Sequence, residues 1–176
     1  LCTAATSPPS QWITRMQEKL DWDQWLSQMA VDITIAHWDN YGWNLNNWHI
    51  YHEPTLDKWY FSPWSTDLAW GWVPWGSDWC GTYGNDPAEF QTGYLMSRCT
   101  NDPECKSQLY ARIGEMADHL ENLDLPSKIA QLKALGDPHV ANDTLAWYPD
   151  NERETHIACI RNWIIARPEA LRNYIK

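Results

Sequence analysis

HWDNYGWNLNNWHIY, residues 37–51, is the stretch whose reading decides the fold. Asp39 opens a run of Asn and Gly to Asn46 that has no helical or strand period and is made of turn-forming residues. At Trp48 the composition changes: Trp48, His49, Ile50 and Tyr51 are aromatic, β-branched or half-polar, which predicts a short strand. His52–Lys58 carries Pro and Asp and reads as a turn, after which Trp59-Tyr60-Phe61 predicts the returning strand. The second stretch, KWYFSPWSTDLAWG (58–71), then ends on an acidic turn at Asp67. An acidic loop, a hairpin and a second acidic turn are the minimal parts for phosphoryl transfer, which needs positioning and charge neutralisation more than covalent help. In that reading Asp39 orients an acceptor hydroxyl and takes its proton. Asn44, at the D-x-x-x-x-N spacing of a kinase catalytic loop, or Asn47, three residues on, offers a carbonyl oxygen to a divalent cation, and Asp67 completes the clamp. The same residues also read as Asx turns bonding their own backbone, and on the residues alone both readings stand.

Outward from this centre the chain is helical. Ile13, Met16 and Leu20 fall at helical spacing, and after a break near Asp21 the stripe resumes with Trp22, Trp25, Leu26, Met29, Ala30 and Ile33, ending close to His37. Residues 1–9 read as an irregular arm, and Ser62–Asn85, rich in Trp, Gly and Pro, as ordered loop. Beyond it, Asp86-Pro87, Asp102-Pro103, Asp124-Leu125-Pro126 and Asp137-Pro138 each predict a capped helix start, and a last helix is predicted from Glu152 to Ala166, resuming after Pro168. The fold class is therefore mainly α (α+β), one small hairpin set among helices and long Trp/Gly-rich loops.

Composition narrows the partners. A formal charge of −10 with thirteen Lys and Arg in 176 residues argues against a nucleic-acid backbone. No transmembrane run or signal peptide is visible, and the chain, which opens on Leu1, is expected to be a processed form or a piece of a longer protein. Fourteen Trp, most of them between Trp22 and Trp79, predict a core of large rings whose indole N–H groups reach loop carbonyls. Among five Cys, Cys99 and Cys105 flank TNDPE, a break between two helical patterns, and are predicted to meet as a disulfide, which points to an exported protein, secreted or at a cell surface or in a periplasm. Cys2, Cys80 and Cys159 remain, an odd number whose pairing stays open.

The run from DWDQWLSQMA through HWDNYGWNLNNWHIYHEP to KWYFSPWSTDLAWG resembles the CotH kinase family, the spore-coat-type secreted atypical kinases. The family's Asp-led loop ending in an Asn-aromatic-x-x-Tyr strand is matched by Asp39 and Asn47-Trp48-His49-Ile50-Tyr51, and its Pro-Trp-Asp-x-Asp turn by Pro63-Trp64-Ser65-Thr66-Asp67. LMSRCTNDPEC (95–105) and IRNWIIARPEALRNYI (160–175) resemble the helical part of secreted members. The resemblance implies phosphorylation of Ser or Thr on a secreted or surface protein, with ATP and Mg²⁺ or Mn²⁺. It implies Asp39 as the catalytic Asp, Asn44 or Asn47 as the metal-binding Asn, and Asp67 as the metal-binding Asp. Ser65 departs from the pattern, standing where the family has its first Asp. Lys19 sits in a helical pattern rather than in the strand that carries a kinase's phosphate-binding Lys, so residues 20–176 are expected to be the helical C-lobe, preceded by an arm and first helix at 1–19, with an N-terminal lobe to be supplied from elsewhere.

Two other functions are carried alongside. His37, His49 and His52 with Asp39 suggest a Cu or Zn site, although His49 and His52, three apart on a strand, point to opposite faces. A secreted, Trp-rich structural or adhesion module with a degenerate kinase site is the third. No nucleophile elbow, Gly-rich phosphate loop or H-E-x-x-H motif is present.

Overall fold

The centre of the molecule is a pair of helices whose sequences dictate their contact. α3 (Trp22–Thr34) presents Trp22, Trp25, Leu26, Met29, Ala30 and Ile33 as one apolar stripe, all buried. α5 (Pro103–Asn122) buries Cys105, Leu109, Ile113, Ala117 and Leu120, and the two faces pack on each other. Each helix starts on an Asp cap: the Asp21 carboxylate accepts from the Gln24 N–H at 3.1 Å, and Asp102 accepts from Glu104 and Cys105. The computed structural model describes residues 1–71, 86–145 and 150–176.

Around this pair lie α1 (Cys2–Ala5), α2 (Pro9–Lys19), a 3₁₀ turn (Pro87–Glu89), α4 (Tyr94–Asn101), α6 (Leu125–Val140) and α7 (Asp150–Tyr174). The arm is not wholly irregular, since Cys2–Ala5 forms one helical turn that Arg98 of α4 ties down by donating to the Ala5 and Ser7 carbonyls. The Cys99–Cys105 disulfide closes the α4–α5 corner with Cα atoms 5.0 Å apart. Cys2 is free and exposed, Cys159 is disulfide-bonded, and Cys80 lies outside the described residues.

Two predicted helix breaks do not occur. Leu125 to Val140 is one helix that contains Pro138, and α7 runs unbroken through Pro168. Asp137 does not cap a new helix. It receives Lys133 Nζ from one turn back at 2.6 Å and Arg153 of α7 at 2.8 Å, which fastens the last turn of α6 in place despite the proline. The Trp expectation holds in part. Trp12 and Trp25 are fully buried, and Trp48 Nε1 donates to the Leu45 carbonyl, but the indole nitrogens of Trp12 and Trp25 have no hydrogen-bond partner.

β1 (Trp48–Glu53) and β2 (Lys58–Pro63) form the antiparallel hairpin, with Trp48 opposite Pro63 and Glu53 opposite Lys58. Its inner face is aromatic: Trp48 stacks on Phe61 with centroids 5.3 Å apart, and Tyr41 meets both edge-on. Gln24 of α3 clamps the backbone of Phe61, donating to its carbonyl and accepting from its N–H, while the Asp21 N–H donates to the Trp59 carbonyl. The hairpin is thus bolted to α3, and both loops that flank it are held at the end of that helix.

Candidate active site

The C-terminus of α3 is where the site begins. A helix leaves its last carbonyls without intrahelical partners, and here they are used as anchor points. Arg167 of α7 donates to the Ile33 carbonyl at 2.6 Å and to that of Thr34 at 3.1 Å. The Trp70 N–H donates to the Ile35 carbonyl at 2.5 Å, and the His37 N–H to that of Asp32 at 2.9 Å. Ala36 then turns through a left-handed conformation (φ 50°) and releases the chain into the Asp39 loop. The loop is pinned on its far side as well: the Tyr41 hydroxyl accepts from the Leu95 N–H at the start of α4, and burial pushes its pKa up against the pull of that bond. Gly93 makes the close approach possible, because a Cβ there would stand 2.6 Å from the Tyr41 carbonyl oxygen.

Three amides converge on Asp39. Its Oδ1 accepts from Asn44 Nδ2 at 2.7 Å, its Oδ2 from Asn47 Nδ2 at 2.8 Å, and Asn46 Nδ2 reaches both oxygens at 3.3 and 3.1 Å. Asp39 and Asn47 are buried, while Asn44 and Asn46 are at the surface. Asn47 also lies 3.5 Å from the Ser65 carbonyl oxygen, and Ser65 Oγ donates to Asp67 Oδ1 at 2.5 Å. A continuous hydrogen-bonded path therefore runs Asp39–Asn47–Ser65–Asp67 across the hairpin. Asn47 and Ser65 both adopt left-handed backbone conformations, φ 47° and 51°, a cost that persists only where surrounding contacts hold it. The Ser65 hydroxyl holds the exposed Asp67 carboxyl below its usual range, helped by a backbone N–H and by the charge of His37.

Asp39, Asn44, Asn47 and Asp67 are thus brought together, and Asn46, which sequence reading passed over, joins them. Its only signal was a third Asn in the same loop. His37, His49 and His52 are not gathered. His37 is fully buried with Nδ1 3.4 Å from Asp32 Oδ1, His49 stacks on Trp64, and His52 stacks on Trp59 with Nε2 3.0 Å from Asp57. Among the described residues no three His, Cys, Asp or Glu side chains sit close enough to hold a metal ion.

Residues 2–171 match the sequence model of the family described as CotH kinase protein. The chain belongs to the CotH kinase family. No curated protein sequence shows significant similarity to it. No helix among the described residues is long and apolar enough to cross a membrane.

Proposed function

We infer that this CotH chain, when an N-terminal lobe is supplied, transfers the γ-phosphoryl group of ATP to a Ser or Thr hydroxyl of a secreted or surface protein. What supports the reading is the hydrogen-bonded path from Asp39 through Asn47 and Ser65 to Asp67, which joins a base-bearing loop to an exposed carboxylate. Asp39 would orient the incoming hydroxyl and accept its proton as the new P–O bond forms, with ADP as leaving group. The amides of Asn44 and Asn46 fix the carboxylate in one orientation, so it need not search rotamers when the hydroxyl arrives.

The donor set fits Mg²⁺ or Mn²⁺. Those ions take hard oxygens, one or two carboxylates with waters and substrate phosphates completing the shell, and need no all-protein cage. Asp67 is exposed, its carboxyl held by the Ser65 hydroxyl and a backbone N–H, and Asn47, whose Nδ2 bonds Asp39, has its carbonyl oxygen to offer. Bound there with nucleotide, the ion would neutralise charge on the transferring group. Ser65 in place of an Asp leaves one carboxylate fewer and supplies a hydroxyl donor that keeps Asp67 ionised. Lys19 does not serve the phosphates, since its Nζ bonds Asp57 at the hairpin turn, 2.5 Å away. The Cys99–Cys105 disulfide supports an oxidising destination.

One observation favours a non-catalytic Trp-rich module instead: both Asp39 oxygens already carry amide donors. Unfolding temperature of the natural gene product with ATP and Mn²⁺ or Mg²⁺ separates the two. A metal-dependent rise that Asp67→Ala abolishes supports the kinase reading, and no shift with any metal–nucleotide pair favours the module.

A further inference from the structure

α7 is remote in sequence from both acidic loops, yet it is in contact with the anchor of each. Arg167 is 3% exposed, and its guanidinium spans the last carbonyls of α3, Ile33 and Thr34, immediately before the turn that launches the Asp39 loop. The same guanidinium lies over the Trp163 ring, 4.9 Å from its centroid. Trp163 in turn meets Trp70 edge-on at 6.2 Å, and Trp70 is three residues past Asp67, with its own N–H on the Ile35 carbonyl. Trp70 holds a left-handed φ of 64°, a conformation that needs such support in a bulky residue.

We propose that Arg167 is a positioning residue that fixes the Asp39 loop and the Asp67 turn relative to each other, directly through the end of α3 and, through Trp163, at Trp70. The inference rests on the kinase reading for what the two loops do, but not for the clamp itself. Burying a guanidinium is costly, and desolvation lowers its pKa to about 10, opposed by Asp86. The group stays charged at neutral pH, and as a cation at a helix C-terminus it faces the negative end of the helix dipole. A planar fork reaches two successive carbonyls while sitting over an indole ring, and an ammonium cannot do both. Lys at this position keeps the charge and loses the geometry, which makes it the informative substitution.

The test is residue-resolved amide hydrogen exchange on the parent, Arg167→Lys and Trp163→Phe, with phosphoryl transfer measured on the same samples. In Arg167→Lys the Trp70 and His37 amides are expected to exchange about tenfold faster, while Leu109 and Ile113 in α5 keep parental protection. In Trp163→Phe only the Trp70 amide is expected to loosen. In an active parent, Arg167→Lys lowers kcat about tenfold with the KM for ATP within about twofold, as for a misplaced catalytic group. Unchanged Trp70 and His37 protection in both variants overturns the clamp, as does acceleration spread equally through α5, which marks a general loss of fold. An inactive parent counts against the kinase reading alone, because the exchange data still decide the clamp.

Discussion

Asp39 is buried, ionisable and surrounded by three amides, and this environment separates its two possible roles by their stability signatures. Removing it leaves the buried Nδ2 of Asn47 only its 3.5 Å contact with the Ser65 carbonyl, and a poorly satisfied buried donor costs about 1–3 kcal/mol. Asp39→Ala is therefore expected to lower stability in urea unfolding by that amount, and Asp67→Ala, at the surface, by less than about 0.5 kcal/mol. Equal stability of the parent and Asp39→Ala would mean that the three amides do not depend on the carboxylate. Gly93 is a second residue-scale test. A methyl there meets the Tyr41 backbone at 2.6 Å, so Gly93→Ala is expected to destabilise by about 1–3 kcal/mol. It should also disturb the Asp39 loop that Tyr41 anchors, visible as shifted side-chain amide resonances of Asn44 and Asn47. At this scale the sequence offered Asp39, Asn44, Asn47 and Asp67 as candidates, because Asx residues at kinase-like spacing are a local signal. It did not show Arg167, which in IIARPEALR reads as one more surface cation until tertiary structure lays it against α3.

Among the described elements α6 is loosely attached. None of its residues is buried, Leu132 and Leu135 are largely exposed, and its link to α7 includes the ion cluster of Lys133, Asp137, Arg153 and Glu154. Lys133 first, then Arg153, holds the Asp137 carboxyl below its usual range. A carboxyl depressed in the folded state contributes stability that is present above its unfolded pKa and lost as pH falls through the lower folded value. Amides of 125–140, corrected for intrinsic exchange, are thus expected to lose protection below about pH 4 before those of α5 do. Asp137→Asn should show the loosened α6 already at pH 7, and an α6 as protected as α5 in that variant would contradict the account. The misread breaks belong to this scale. Asp-Pro normally opens a helix, but at 137–138 the Asp is drawn sideways to Lys133 and Arg153, partners that no local pattern discloses. The break at Asp21 and the capped start of α5 were legible because their signals are local.

For the whole molecule, the aromatic core and the Cys99–Cys105 disulfide contribute stability, and the hairpin bolted to α3 flanks both acidic loops. Closing the short loop between Cys99 and Cys105 contributes about 2 kcal/mol by chain entropy. Cys99→Ser with Cys105→Ser is expected to lower stability by at least that much, since both sulfurs are buried, and unfolding midpoints of the two proteins measure it. The fold class was readable from periodicity because the stripes of α3 and α5 are regular. The mutual placement of the two acidic loops was not, since it depends on α7 returning across more than a hundred residues to the end of α3. The central claim is that Asp39 and Asp67, joined through Asn47 and Ser65, form a phosphoryl-transfer site. Its most direct test is incorporation of γ-labelled phosphate from ATP, with Mn²⁺ or Mg²⁺, by the natural gene product and by its Asp67→Ala variant. The account predicts labelling by the parent and a loss of about 100-fold or more in the variant at an unchanged unfolding midpoint; equal labelling in both, or none in the parent, would contradict it.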